Sequence, residues 1–136
     1  MKAVVYTKFG PPEVLQLANV DTPTPKDNEI LIRIHAVSVA KEDPMMRRSP
    51  GLNGIRRPKR PILGQYFAGE VEAVGAQVAR FKAGDQVYGD TGMNLGTYAE
   101  YLCMPEDGAL TIKPKNMSFK EAATVPDGAL TALPFL

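Results

Sequence analysis

The sequence predicts a mainly β fold with a few short helices, and three observations support this prediction. Short runs rich in β-branched and aromatic residues recur along the 136 residues. Twelve glycines and twelve prolines divide the chain between these runs. Helical patterns are few and short. The apolar share of 44% and the charged share of 23% indicate a globular chain with a hydrophobic core.

The first two strands are predicted to form a hairpin. Lys2–Thr7 is rich in β-forming residues and is followed by the turn Gly10-Pro11-Pro12. The alternating run Val14–Val20 is the expected partner strand. Asp21–Asn28 contains two prolines, so a loop is predicted there.

Glu29–Val39 carries the clearest strand pattern of the chain. Its apolar and polar residues alternate, so one face of the strand is predicted to be buried. The buried face would carry Ile30, Ile32, Ile34 and Ala36. His35 falls on the other face, where we expect an exposed side chain and not a catalytic one.

A short helix is predicted over Lys41–Arg48, with Asp43 capping its start and Pro44 in its first turn. The next residues, Ser49–Arg60, contain Pro, Gly and Asn without periodicity and predict a mobile surface loop.

The stretch Pro61–Gly75, PILGQYFAGEVEAVG, is expected to organise the fold. Gly64, Gly69 and Gly75 would allow sharp bends or the close approach of another segment. Ala68–Val74 is the strand predicted within this stretch.

The second half of the chain contains short strands separated by turns. The predicted order is Val78–Phe81 leading to a turn at Gly84-Asp85, a strand over Gln86–Gly89, a turn over Gly92–Gly96, and strands over Thr97–Met104 and Leu110–Lys113.

Helices are predicted at the end of the chain. Ser118 and Glu121 fit a capping box for a helix over Phe119–Thr124. A second helix is predicted to start near Asp127, its expected N-cap, and to run toward the apolar end Leu133–Leu136.

Six segments resemble the medium-chain dehydrogenase/reductase superfamily. Pro61–Gly75 is similar to its signature P-x-x-x-G-H-E-x-x-G-x-V-x-x-V-G, with Gln65 and Tyr66 in place of the His and Glu. The other segments resemble the quinone oxidoreductase-like branch in order and spacing: Lys2–Tyr6 with Gly10–Leu15, Asn28–Ile34, Gly84–Gly89, Gly96–Tyr101, and Ser118–Ala123 with Ala129–Ala132.

This resemblance implies a GroES-like catalytic domain, a partly open β-barrel, over residues 1–125. Residues 126–136 would begin the connection to a Rossmann domain that binds NADPH or NADH and is missing from this chain. The expected function is hydride transfer to a quinone, enone or carbonyl substrate by a zinc-independent oxidoreductase, with the fragment inactive by itself.

No metal site is predicted. In zinc-dependent members of the superfamily the three ligand positions would fall on Ala40, Gln65 and Asp127. Alanine has no donor atom, a glutamine amide is a poor zinc ligand, and one carboxylate does not make a site.

The resemblance places four polar residues around the expected cleft. Tyr66, Lys41 and Asp43 are the candidate catalytic residues, and Tyr66 could donate a proton to a carbonyl oxygen. Thr131 is the candidate contact to the nicotinamide end of the cofactor. A solvated lysine, a helix-capping aspartate, a core tyrosine and a helix-interior threonine are the structural alternatives.

Composition narrows the possible partners and compartments. The formal net charge is +1, which favours neither nucleic acid nor an anionic membrane as partner. No apolar run reaches membrane-spanning length, and the start of the chain lacks a signal peptide pattern. With Cys103 as the single cysteine, the expected location is the cytoplasm. The expected partner is a small-molecule substrate, with a homodimer possible.

The basic residues around the Ser49–Arg60 loop leave two interpretations open. They form a local patch without interleaved aromatic residues, which does not favour nucleic-acid binding. The patch is either a solvated surface or a device that steers an anionic cofactor or substrate toward the cleft. Its members are Arg47, Arg48, Arg56, Arg57, Lys59 and Arg60.

Two other functions stay open at this point. One is a stand-alone GroES-like binding module without enzymatic activity. The other is half of a zinc alcohol dehydrogenase, which stoichiometric zinc would indicate.

Overall fold

The longest strand, β3, spans Glu29–Ser38, and its predicted face is buried at Ile30 and Ile32 but only half-buried at Ile34 and Ala36. In the computed structural model, which describes residues 1–136, Ile30 and Ile32 are fully buried while Arg33 and His35 are exposed. β3 pairs with β4 along most of its length and with β6 at its beginning. It is therefore the central support of the main sheet.

Seven strands and a few short helical segments make up the chain. The strands are β1 Lys2–Val5, β2 Gln16–Asn19, β3 Glu29–Ser38, β4 Tyr66–Val74, β5 Gln86–Asp90, β6 Tyr101–Pro105 and β7 Leu110–Ile112. The α-helices are α1 Glu42–Arg48, α2 Phe119–Thr124 and α3 Leu130–Ala132. None of the helices has the length and apolar character that crossing a membrane requires.

The strands form two antiparallel sheets. β1 and β2 make the predicted hairpin. The other five strands are ordered β6-β3-β4-β5-β7, and the two edge strands do not pair, so the sheet stays open. The predicted mainly β fold, a partly open barrel with few short helices, is confirmed.

The hydrophobic core is formed mainly by side chains of the five-stranded sheet. Its largest cluster contains Ile30, Ile32, Phe67, Val71, Phe81, Val87, Leu102, Met104 and Leu110. A second cluster joins Tyr6 on the hairpin side to Met46 of α1 and Leu63 before β4. The hairpin and α1 are thereby fixed against the start of β4, because burial of these side chains stabilises their contact.

All three glycines of the Pro61–Gly75 stretch are required by close contacts, as predicted, and a Cβ at Gly75 would collide with the backbone carbonyl oxygens of Lys26 and Asp27. A Cβ at Gly69 would collide with the carbonyl oxygen of Arg33 on β3. Gly64 has φ +93°, and a Cβ there would collide with Thr97 and Tyr98. The segment that contains Thr97 and Tyr98 therefore packs directly against the residues before β4.

The start of β6 was predicted too early. The strand begins at Tyr101 and not at Thr97. Thr97 and Tyr98 donate their backbone N–H groups to the carbonyl oxygens of Gly64 and Leu63, at 3.3 and 3.0 Å. Because their N–H groups make these long-range bonds, Thr97 and Tyr98 lie in an irregular connection and not in the sheet.

The separate helix predicted from Asp127 is also wrong. Residues 119–135 are continuously helical, with a wide π-helical turn over Val125–Ala129 between α2 and α3 and a 3-10 turn over Leu133–Phe135. Pro126 has no N–H to donate within the helix, which explains why the turn widens there. Asp127 lies inside this turn and is not its N-cap.

The Ser49–Arg60 loop is at the surface, as predicted, but two residues in it, Asn53 and Gly54, are buried. Asn53 is 2% exposed. Its side-chain amide donates to the Tyr6 hydroxyl at 2.6 Å and to the Arg60 carbonyl oxygen at 2.8 Å. This side chain connects the loop to the core.

Candidate active site

Three strand ends meet at one edge of the five-stranded sheet. The register pairs Ser38, the last residue of β3, with Tyr66, the first residue of β4. Tyr66 also pairs with Asp90, the last residue of β5. We call this edge the site edge, because the predicted catalytic residues lie on it or follow it directly.

Tyr66 lies at the site edge, and its side chain is half-buried. Burial is the largest cause that raises the pKa of Tyr66, and the surrounding negative charges raise it further. Those charges belong to Asp127, Asp90, Glu42 and Asp43, in decreasing order of effect. The phenol therefore stays protonated at neutral pH and can donate a hydrogen bond or a proton.

Asp43 is buried at 3% exposure, and its carboxylate accepts three hydrogen bonds. Oδ1 accepts from the Gly64 N–H at 3.1 Å. Oδ2 accepts from the Ala40 N–H at 3.0 Å and from the Tyr98 hydroxyl at 2.6 Å. One carboxylate thus joins the end of β3, the start of β4 and the segment before β6.

The prediction that Asp43 caps the start of α1 is wrong. Lys41 is the N-cap residue of α1, and no side chain caps this helix. Asp43 is the second residue of the helix, and its side chain turns into the protein to reach Gly64 and Tyr98.

The donor atoms present do not fit a catalytic zinc ion. Ala40 is buried and has no donor. Gln65 offers only an amide oxygen, which is a poor zinc ligand, and its Nε2 donates to the Gly92 carbonyl oxygen at 3.2 Å. Of the three ligand positions, only Asp127 therefore carries a carboxylate. No group of three His, Cys, Asp or Glu side chains in the chain could hold a metal ion.

Lys41 and Thr131 are the two exposed residues of the predicted site. Lys41 follows the end of β3 by three residues and is the N-cap residue of α1. Thr131 lies in α3, four residues after Asp127 and therefore about one helical turn beyond it. Since the Asp127 charge acts on Tyr66, this part of the helix lies near the site edge.

Two residues of the site were missed at the level of sequence. The sequence places Tyr98 only in a predicted strand, although this residue lies in the similar segment Gly96–Tyr101. Burial, followed by the hydrogen bond to the Asp43 carboxylate, raises the pKa of Tyr98 far above its ordinary value. Asp90 comes directly after the similar segment Gly84–Gly89, so its position next to a matched segment was the available signal.

Comparisons with known proteins agree with this architecture. The chain matches the family described as the alcohol dehydrogenase GroES-like domain over residues 26–114. It is 38% identical to a 2-methylene-furan-3-one reductase of Solanum lycopersicum, covering 97% of this chain and 36% of the relative. It is also 38% identical to a quinone oxidoreductase of Sus scrofa, covering 92% of this chain and 37% of the relative.

A solved structure shows the same fold. The quinone oxidoreductase of Escherichia coli, determined as a complex with NADPH, superimposes with a TM-score of 0.85 at 29% identity. The match covers 100% of this chain and 40% of that protein. The chain spans little more than a third of the length of the curated relatives that it matches. It belongs to the alcohol dehydrogenase GroES-like domain family, among the quinone oxidoreductase-like members of the medium-chain dehydrogenase/reductase superfamily.

Proposed function

We propose that the chain is the catalytic domain of an NAD(P)H-dependent oxidoreductase that works without zinc and reduces a quinone, enone or carbonyl substrate. The names of its relatives support this proposal, since they include a 2-methylene-furan-3-one reductase and a quinone oxidoreductase. The NADPH bound by the Escherichia coli protein supports the choice of cofactor class.

The observation that carries the proposal is the protonated phenol of Tyr66 at the site edge. The phenol is half-buried where three strand ends meet, and a tyrosine is protonated over the whole neutral range, so Tyr66 is a hydrogen-bond donor at this place. When bound, a nicotinamide would supply the hydride. Tyr66 donates its hydrogen bond to the substrate oxygen, where negative charge develops as the hydride reaches carbon, and it can pass its proton to that oxygen.

Lys41 and Asp43 have different roles in this proposal. The exposed ammonium group of Lys41 stabilises negative charge at the rim of the site. Asp43 is a positioning residue, because all its hydrogen bonds go to protein groups and its carboxylate is buried. It holds Gly64, two residues before Tyr66, in place.

Thr131 is the residue of this chain that we propose as a contact to the nicotinamide. Thr131 presents an exposed hydroxyl on α3, and the proposed role of this hydroxyl is to bind the nicotinamide end of the cofactor. We assign the rest of the cofactor to a second domain that follows residues 126–136. Every strand pair in the present fold is antiparallel, whereas dinucleotides bind at the ends of parallel strands.

The proposal is tested on the complete product of the gene by following NADPH and NADH oxidation with 1,4-benzoquinone and with benzylideneacetone. We expect Tyr66→Phe to lower kcat by about 100-fold with a smaller change in KM, since a positioned proton donor contributes at least that much. The matched control is Tyr101→Phe on β6, a half-buried tyrosine away from the site edge, which should keep wild-type kcat.

Three results would each contradict a part of the proposal. Wild-type kcat in Tyr66→Phe would remove Tyr66 from the chemistry. Failure of the complete protein to oxidise either cofactor with any of these acceptors would instead favour a binding module without enzymatic activity. Activity that is lost with a chelator and restored by zinc would contradict the zinc-independent part of the proposal.

A further inference from the structure

A cavity of about 490 Å³ opens between α1 and the loop that follows it. Met45 and Leu52 contribute apolar surface to its wall. Lys41 and Arg48 contribute two positive charges, and no acidic side chain lines the cavity. The cavity is therefore both apolar and positively charged.

Neither cation of the cavity has an acidic partner in the chain. The four ion pairs of the structure involve other basic residues. Both Lys41 and Arg48 are exposed. The adjacent Arg47 differs, since it is buried and donates to the Gly10 carbonyl oxygen at 2.6 Å. Arg47 thus has a structural role, whereas Lys41 and Arg48 are free to bind a ligand.

The apolar residues of the cavity are unusually accessible. Met45 is 57% exposed and Leu52 is 70% exposed. Large apolar side chains that remain exposed next to convergent polar groups are typical of a ligand site. A ligand that satisfies both features has a hydrocarbon body and an anionic group.

The cavity adjoins the candidate active site. Lys41 lies on the cavity wall and follows the end of β3 by three residues, and β3 ends opposite Tyr66. The next two residues, Glu42 and Asp43, raise the pKa of Tyr66, so the start of α1 is near the site edge. A ligand that Lys41 binds would lie near this start of α1.

We propose that this cavity selects an acceptor that carries a carboxylate on an apolar body, such as an α,β-unsaturated aryl carboxylate. Lys41 and Arg48 bind the carboxylate, and Met45 and Leu52 contact the hydrocarbon part. That this ligand is reduced as an acceptor rests on the proposed function, whereas the binding of its carboxylate rests on the cavity alone.

The test compares trans-cinnamate with methyl cinnamate as probes for the 136-residue chain, by isothermal titration calorimetry without cofactor. We expect the acid to bind about ten-fold more tightly than the neutral ester at low salt, and this preference to shrink in 0.5 M salt. Lys41→Met and Arg48→Met should each weaken cinnamate binding about three-fold and leave ester binding unchanged.

Two control variants separate charge from shape. Arg56→Met removes an exposed arginine of the same loop that does not line the cavity, and it should leave both affinities unchanged. Leu52→Ser should weaken the acid and the ester alike. Equal affinity of the wild-type chain for acid and ester would overturn the inference, as would an equal effect of Arg56→Met and Arg48→Met.

The outcomes also distinguish this inference from the proposed function. If cinnamate binds as expected and the complete protein reduces no acceptor, the cavity assignment stands and the proposed function fails. If neutral enones are reduced while acid and ester bind alike, the proposed function stands and the selection of an anionic acceptor is wrong.

Discussion

At the scale of single residues, Asp43 connects the fold to the candidate chemistry. Its carboxylate accepts hydrogen bonds from Gly64 and Tyr98, which lie 21 and 55 positions away in the sequence. The three donors fix the end of β3 and the start of β4 relative to each other. The position of the Tyr66 phenol depends on that arrangement.

We expect Asp43→Asn to destabilise the chain by about 3 kcal/mol. The amide retains one acceptor oxygen, so at least one buried donor loses its partner or faces the new NH₂ group, and such a loss at a charged acceptor costs about 1.5–3 kcal/mol or more. Urea unfolding followed by circular dichroism measures the change.

Asp107→Asn is the matched control, because Asp107 is exposed. It should change the free energy of unfolding by less than about 0.5 kcal/mol. A double-mutant cycle with Tyr98→Phe should show less than additive effects, since both substitutions remove the same hydrogen bond. Similar stability losses in Asp43→Asn and Asp107→Asn would refute the positioning role.

The site residues could be predicted only in part from the sequence. Tyr66, Lys41 and Thr131 were named from their places in segments similar to the superfamily. The burial of Asp43 could not be predicted, because it depends on donors that only the folded chain brings close. Tyr98 was missed for the same reason, since its partner is distant in sequence.

At the scale of elements, the capping box of α2 shows what local sequence can determine. Ser118 Oγ accepts from the Glu121 N–H at 3.2 Å. A Glu121 carboxylate oxygen accepts from the Ser118 N–H at 2.8 Å. All partners lie within four residues, so the sequence alone was sufficient to predict the helix start.

Removing the cap should destabilise the chain moderately. We expect Ser118→Ala to lower the free energy of unfolding by about 1 kcal/mol, because the first turn of α2 loses its side-chain acceptor. Ser49→Ala, at an exposed serine after α1, is the control and should have little effect. Thermal and urea unfolding measure both variants, and equal stability of Ser118→Ala and wild type would contradict the prediction.

The same cap should make stability depend on pH. The Ser118 backbone N–H, followed by its hydroxyl, lowers the pKa of Glu121. Since the pKa is lower in the folded chain than in the unfolded chain, this stabilisation is present above about pH 4.3 and is lost as the pH falls through the folded value. The difference in unfolding free energy between wild type and Glu121→Gln should therefore be present at pH 7 and shrink below pH 4. A constant difference across this range would contradict the assignment.

The boundaries of elements could not be predicted where distant segments compete for hydrogen bonds. Thr97 has strong β propensity, yet its N–H bonds to Gly64 in an irregular connection and not to β3. The π-helical turn is a similar case, because Pro126 widened the helix instead of ending it. Local patterns predicted the type of each element, and long-range contacts decided where it ends.

At the scale of the whole molecule, sheet register creates the site edge. β3, β4 and β5 are adjacent and antiparallel, so the end of one strand meets the start of the next. Ser38, Tyr66 and Asp90 become neighbours in this way. The sequence predicted each strand, but the strand order that brings their ends together is a property of the folded sheet.

The last helical turns carry an exposed apolar surface that should cause self-association. Leu130 and Leu133 are 57% and 63% exposed, and Phe135 is 87% exposed. We expect the weight-average mass in sedimentation velocity to rise with concentration. Leu133→Ser with Phe135→Ser should reduce this rise, whereas Ile55→Ser, at an apolar loop residue of 80% exposure, should not. A constant monomer mass in the wild-type chain would contradict the prediction.

Finally, the whole fold predicts that this chain binds the reduced dinucleotide weakly when it is alone. Dinucleotide pyrophosphates bind at a glycine-rich turn between a parallel strand and a long helix. Gly92 instead begins a 3-10 turn between β5 and β6, and Gly96 follows this turn. We therefore expect no saturable change in NADPH fluorescence up to about 100 μM chain, with a full-length quinone oxidoreductase as positive control. Micromolar, saturable binding would show that the present fold holds the cofactor by itself, and Thr131→Ala would then test whether its exposed hydroxyl takes part.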